Sequence, residues 1–179
     1  MNKEEINKKH DHRRSLAGEC KWGDPVQFIL FFIFMIAVVL DKAVFNFSNN
    51  FSSLLPAWVK WLVGLISILA GVIFIQDGHR VFEEIRGEPR VIKEGVFRVV
   101  RHPIYLGSIM TYFGFSILSM SILAFLVLLA IVAFYYYISV YEEKLLLEKF
   151  GDEYRNYMKQ TPRMNLFLGL IGGIISKDK

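Results

Sequence analysis

The chain has 179 residues, 54% of them hydrophobic and 15% aromatic, with a mean hydropathy of +0.37 and a net charge of +4. That length holds about one domain, and the apolar content excludes a disordered or collagen-like chain. A single cysteine excludes an internal disulfide framework, and the segregation of the 21 basic and 17 acidic residues between four apolar blocks excludes an ordinary soluble globule.

Residues 1–24 form a polar N-terminal segment rich in Lys and Arg. The first apolar block follows, Pro25–Leu40, and with Ala43–Phe45 it approaches the ~20 residues that cross ~30 Å of hydrocarbon. Its long, partly acidic leader and lack of a small-x-small site behind it read as a membrane span, not a cleaved signal. Asp41 and Lys42 are expected at its exit, with Lys42 reaching headgroups. The second block is Leu54–Ile75, whose one charge, Lys60, lies near an end. The third, Ile104–Met120, and the fourth, Ile122–Val140, are separated only by a turn around Ser119, Met120 and Ser121, which predicts a tight helical hairpin. Backbone groups in lipid must be satisfied internally, so all four blocks are predicted to be helices. The expected fold is an all-α membrane bundle with spans at about 25–45, 54–75, 104–120 and 122–141 inside a 25–165 domain, followed by an interfacial tail, 166–179.

Lys and Arg count 6, 1, 6, 0 and 7 over residues 1–24, 41–56, 76–103, the hairpin turn and 141–179. This alternation predicts four crossings, with both termini and the 76–103 connection in the cytoplasm. The basic residues are interleaved with acids and carry no stacking motif, so no nucleic-acid partner is expected.

Polar chemistry gathers at the predicted cytoplasmic face. In the connection 76–103, Gly87 and Pro89 break helix and Gly95 marks a second turn. Arg101-His102-Pro103-Ile104-Tyr105 then opens the third span. Proline suits a first helical turn, and that turn's amides suit an anionic group. The pattern reads either as a site for a small anionic, ring-bearing ligand or as a headgroup anchor. Glu142 and Glu143 return to the same face at the end of the hairpin. An acid there is unfavourable against the helix dipole unless the helix continues or a cation pairs with it, and both are expected. Leu146, Phe150, Tyr154 and Tyr157 continue one apolar helical face, interrupted near Gly151.

The stretch Gly95–Gly107 contains an Arg-His-Pro-x-Tyr segment, and Glu142–Tyr157 reads Glu-Glu…Phe-Gly-x-x-Tyr-x-x-Tyr, with Pro162-Arg163 beyond. Together they resemble the isoprenylcysteine carboxyl methyltransferase family over residues 60–165, with the phospholipid N-methyltransferases as near relatives. The resemblance implies an integral-membrane methyltransferase that uses S-adenosylmethionine and acts on a membrane lipid or lipidated acceptor. It implies cofactor contacts from His102, Pro103, Ile104, Tyr105, Phe97, Glu142 and Glu143. Pro89, Arg90, Val91 and Ile92 would add backbone contacts. Arg101, Tyr105 and Arg163 are candidates for a catalytic role, and no metal is implied. Two positions depart from the family: Pro89 stands where His is common, and Ile138 where the prenylcysteine enzymes carry an arginine that reads the substrate carboxylate. A carboxylate acceptor is ionised at neutral pH and needs no general base, which favours O-methylation. Phospholipid amine methylation and a non-catalytic membrane protein that keeps the fold are the alternatives. A transporter is disfavoured by the absence of mid-span ionisable residues.

Overall fold

The structure, a computed structural model, describes residues 23–45, 53–85 and 90–165. Among these residues it is all helical. Helix α1 is Gly23–Leu40 and runs on through a π-helical turn, Asp41–Phe45. Helix α2 is Ala57–Glu84, α3 is Pro103–Ser119 and α4 is Ile122–Gln160; a short 3-10 turn, Gly95–Arg98, precedes α3. The first helix, α2 and α4 are long and apolar enough to cross a membrane. Helix α3 is shorter: its 17 residues rise about 25 Å, the lower end of a spanning length.

The helices run alternately up and down. On one face of the bundle Asp41, at the end of α1, meets Ser121 at the head of α4. On the other, the start of α3 meets Gly78 of α2 and Glu142 of α4. The predicted hairpin is present. Met120 takes the left-handed conformation that ends α3 (φ 48°), and the Ser121 hydroxyl caps α4 by accepting from the Ala124 amide at 3.1 Å. The turn is therefore Met120-Ser121, and Ser119 belongs to the helix.

Helices α2 and α3 pack antiparallel along a seam of small residues. Gly64, Gly71 and Gly78 recur every seven residues and face Gly114, Gly107 and Pro103–Ile104. A Cβ on Gly107 would come within 2.6 Å of the Gly71 carbonyl oxygen, and one on Gly114 within 2.7 Å of that of Gly64. The two backbones thus touch, the arrangement that holds helices together where no hydrophobic effect separates them from lipid. The hydroxyls of Ser108, Thr111 and Ser116 on α3 donate back to carbonyls four residues earlier, so none adds an unsatisfied donor. The first helix packs on α4 through Phe34, whose neighbours are Tyr112, Ala124, Leu128, Ile131 and Tyr135. The remaining faces expose large apolar side chains such as Phe28, Phe32, Leu62, Leu69 and Leu129, as lipid contact requires.

The expected continuation of the fourth helix beyond its apolar block is present: α4 runs past Tyr141 to Gln160, interrupted at Gly151, whose backbone (φ 52°, ψ −123°) is not helical. Two features differ from those expected, the end of α2 and the placement of Asp41. Helix α2 continues nine residues past Ile75, because Gly78 packs on the start of α3 and Val81 on Gly95 of the connection leading to it. Asp41 does not reach out beside Lys42. It is fully buried, and its carboxylate accepts the Ser121 hydroxyl at 2.5 Å, tying α1 to the hairpin turn. The N-terminal segment to residue 22, Cys20, Pro89 and the tail from residue 166 lie outside the described residues.

Candidate functional site

The connection between α2 and α3 is held to α2 by Asp77. Its carboxylate accepts the Val96 amide at 2.9 Å and pairs with Arg80. Gly95 has a positive φ of 52° with Asp77 and Val81 packed where a Cβ would be, so glycine is required there. The C-terminal part of α4 covers this connection from the other side. Tyr154 and Tyr157 bury Val91 between them, and the Tyr157 hydroxyl donates to the Phe97 carbonyl at 2.6 Å. Lys93 reaches Glu153 at 2.8 Å. Phe97 is thereby fixed through its backbone, Val91 faces the tyrosines, and Arg90 pairs with Glu94 at 2.5 Å.

The segment after α4 lies against the mouth of α3. The amides of Arg101 and His102 donate to the carbonyls of Pro162 and Arg163 at 3.0 and 3.1 Å. The Arg101 guanidinium donates to the carbonyls of Met158 and Thr161 and, from Nε, to Glu143 Oε1 at 2.8 Å. Arg163 grips the same carboxylate with two bonds, at 3.0 and 2.5 Å, and stands 4.9 Å above the Tyr136 ring. Glu143 is only 2% exposed and receives both arginines, with His102 Nε2 3.3 Å away. Burial opposes its charge, but His102, Arg163 and Arg101 outweigh that and hold its carboxyl far below the usual carboxylate range. Glu143 is the knot that ties the α3 mouth, α4 and the C-terminal segment together.

Glu142 is placed differently. Its Oε1 accepts the Tyr105 hydroxyl at 2.7 Å, and its Oε2 lies 3.5 Å from His102 Nδ1. No arginine bonds to it among the described contacts. His102 is buried between the two acids. Its burial disfavours the imidazolium, yet Glu142 and Glu143 together raise its pKa above the ordinary 6.5. The His102, Tyr105 and Tyr135 rings form a continuous stack, with centroids 5.6 and 4.9 Å apart and planes within 3° and 15°.

The sequence-expected residues His102, Pro103, Ile104, Tyr105, Glu142, Glu143, Arg101 and Arg163 therefore meet at one place, the cap over the α3 mouth. Phe97, Val91, Ile92 and Arg90 belong to the connection that forms its rim. The residues fit S-adenosylmethionine by chemistry. One acid, Glu142, is held by a phenol and a histidine instead of by arginines, which suits an ammonium or ribose hydroxyls. The first turn of α3 has Pro103 at its head and no side-chain cap, which suits a carboxylate. Sequence reasoning missed two features. One is the pairing of both arginines with Glu143. The other is Tyr135, seven residues before Glu142 and so on the same face of α4, a spacing visible in the sequence.

A family model described as phospholipid methyltransferase matches residues 51–153, which include the connection, the Arg-His-Pro-x-Tyr segment, the hairpin and the second motif from Glu142 through Gly151. The chain belongs to this family of membrane methyltransferases. Among curated proteins it is similar to methanethiol S-methyltransferase 1 of Bradyrhizobium diazoefficiens, 32% identical over 46% of this chain and 30% of the relative. It is also similar to the methanethiol S-methyltransferases of Crocosphaera subtropica (29% identical, 70% of this chain, 52% of the relative) and Pseudomonas deceptionensis (29%, 74% and 53%). The chain spans about half or less of the length of these relatives. No solved structure gives a significant match.

Proposed function

We propose that this chain is an S-adenosylmethionine-dependent membrane methyltransferase whose acceptor is a thiol. The observation that carries the reading is the division of labour between the two acids: Glu143 is consumed by Arg101 and Arg163, whereas Glu142 faces Tyr105 and His102. Glu142 supplies the charge that holds a cationic donor, and the α3 first turn supplies amides for its carboxylate. S-adenosylmethionine, when bound, provides a methyl already activated on a sulfonium. What remains for the protein is alignment and the exclusion of water. Phe97 and the tyrosines of the cap close the cytoplasmic-end rim, and the stacked rings of Tyr105 and Tyr135 form the floor towards the membrane.

The thiol is supported by two features. Three similar proteins are named as methanethiol S-methyltransferases. In addition, both described arginines at the mouth are bound to Glu143, and Ile138 stands where a carboxylate-reading arginine would be, so neither of these arginines is left over for a carboxylate acceptor. Arg101 and Arg163 are accordingly assigned to positioning the cap. The test is methyl-labelled S-adenosylmethionine with purified protein and three acceptors: ethanethiol, a prenylcysteine carboxylate and phosphatidylethanolamine. A labelled thioether is expected. An alkali-labile ester would return the reading to the carboxylate acceptor, and a methylated amine to the phospholipid alternative.

A further inference from the structure

Tyr135 lies in the middle of the bundle, 1% exposed, among Phe34, Tyr112, Leu128 and Ile131. Its hydroxyl is buried and donates to no acceptor among the described residues; the neighbouring Ser108 hydroxyl donates instead to the Ile104 carbonyl at 2.9 Å. A buried, unpaired hydroxyl is unfavourable, and phenylalanine would fill the same volume without that cost. The ring is also the membrane-side end of the stack that begins at His102, next to Tyr105, whose own hydroxyl is on Glu142. The unused donor thus sits where the polar site gives way to an apolar floor.

We propose that Tyr135 Oη is the group that meets the methyl acceptor: its O–H donates to the acceptor's sulfur, while the surrounding apolar side chains take the acceptor's hydrocarbon part. This deepens the thiol reading above and rests on it for the identity of the heteroatom. A hydrogen bond from a phenol favours the thiolate over the thiol, and the thiolate is the nucleophile: the acceptor's S–H proton is lost to water, the thiolate sulfur would bond to the methyl as the donor's methyl–sulfonium bond breaks, and S-adenosylhomocysteine would leave. In the structure Tyr105 covers Tyr135. Tyr105 is half-buried and tied to Glu142, so a ligand that takes Glu142 loosens the cover, and the acceptor should bind after the donor.

The experiment uses the full chain in nanodiscs, with Tyr135→Phe and, separately, 3-fluorotyrosine at position 135. The probes are ethanethiol, octanoate and octylamine, with and without S-adenosylhomocysteine. Tyr135→Phe should raise KM for ethanethiol roughly tenfold, the size of a charge-assisted hydrogen bond. It should also move the ascending, acid-side limb of the pH–rate profile to higher pH, change S-adenosylhomocysteine affinity less than twofold and melt no lower than the parent. The fluorine resonance should shift on adding ethanethiol only when S-adenosylhomocysteine is present. An unchanged KM and pH profile in a parent that methylates ethanethiol would overturn the role of Tyr135. If no thiol is methylated but octanoate or octylamine shifts the resonance, Tyr135 keeps its role and the thiol reading fails. A resonance that no probe moves overturns the proposal outright.

Discussion

Glu142 and Glu143 are neighbours in the chain with opposite duties. Replacing Glu143 by Gln leaves Arg101 and Arg163 facing a neutral amide in a buried place, and breaking such a network costs about 3–5 kcal/mol. Glu143→Gln should therefore lower the melting temperature sharply. Glu142→Gln should leave it nearly unchanged and weaken S-adenosylmethionine binding roughly ten- to hundredfold. Calorimetric titration beside thermal melting reads both, and a reversed pattern would exchange the two roles. His102 adds a pH dependence. Its pKa is raised by the two acids, so its contribution to stability is complete below about pH 6.5 and is lost as the pH rises through the raised value. Melting scans from pH 6 to 9 should show a decline that His102→Asn abolishes; a parallel decline in both proteins would place the titrating group elsewhere. Glu143 acts in the other direction, and its contribution fails only on strong acidification. The sequence showed that these residues belong to one face of the membrane. It did not show which acid takes the arginines, because that depends on how the segment around Pro162 folds back, and adjacent residues on a helix differ by about 100° in direction.

At the level of the helices, apolar length located all four elements, since a stretch that must satisfy its own backbone in lipid has few alternatives. Length did not give their ends. Helices α2 and α4 outrun their apolar blocks because what stabilises the extra turns is packing against the connection and the C-terminal segment, which hydropathy does not register. The seam between α2 and α3 was not legible as a seam: its glycines are plain in the sequence, but they became meaningful only once Gly64, Gly71 and Gly78 were seen opposite Gly107, Gly114 and the start of α3. This seam fixes the depth of the α3 mouth relative to Asp77, and hence the site. A Cβ on Gly71 would lie 2.5 Å from the Gly107 carbonyl oxygen and press on Thr111. Backbone cannot yield as a flexible side chain does, so Gly71→Ala should destabilise by about 1–3 kcal/mol. Gly151→Ala, with open space around its Cβ but a φ of 52°, should cost about 1 kcal/mol through backbone strain alone. Melting both variants separates close approach from conformation; equal, negligible shifts would mean the seam is loose.

On the scale of the whole molecule, the contacts settle which helix ends lie together and leave the bilayer's sides to be assigned by charge. Asp41, Ser121 and the start of α2 share one face; His102, Glu142 and the cap share the other. The described residues on the cap face hold five Lys and Arg within 76–103 and five within 141–165, whereas those within 41–56 hold one, Lys42, and the hairpin turn none. From this asymmetry we propose that the basic face is the cytoplasmic one, since Lys and Arg are enriched in cytoplasmic connections. The arrangement suits the proposed chemistry, because a charged, water-soluble donor is reached from the cytoplasm and an apolar acceptor from the bilayer. It also requires α3 to cross despite its 17 residues, which its glycine seam makes feasible by holding it against the longer α2. Labelling single cysteines at Ser53, Met120, Lys93 and Lys159 in a Cys20→Ser background with a membrane-impermeant maleimide tests this. In intact cells Ser53→Cys should react; Lys93→Cys and Lys159→Cys should react only after the membrane is opened. Met120, 8% exposed, should stay unlabelled until the protein is denatured. Reaction of Lys93→Cys from outside would invert the molecule and put the cap, with its donor site, beyond the reach of a cytoplasmic cofactor.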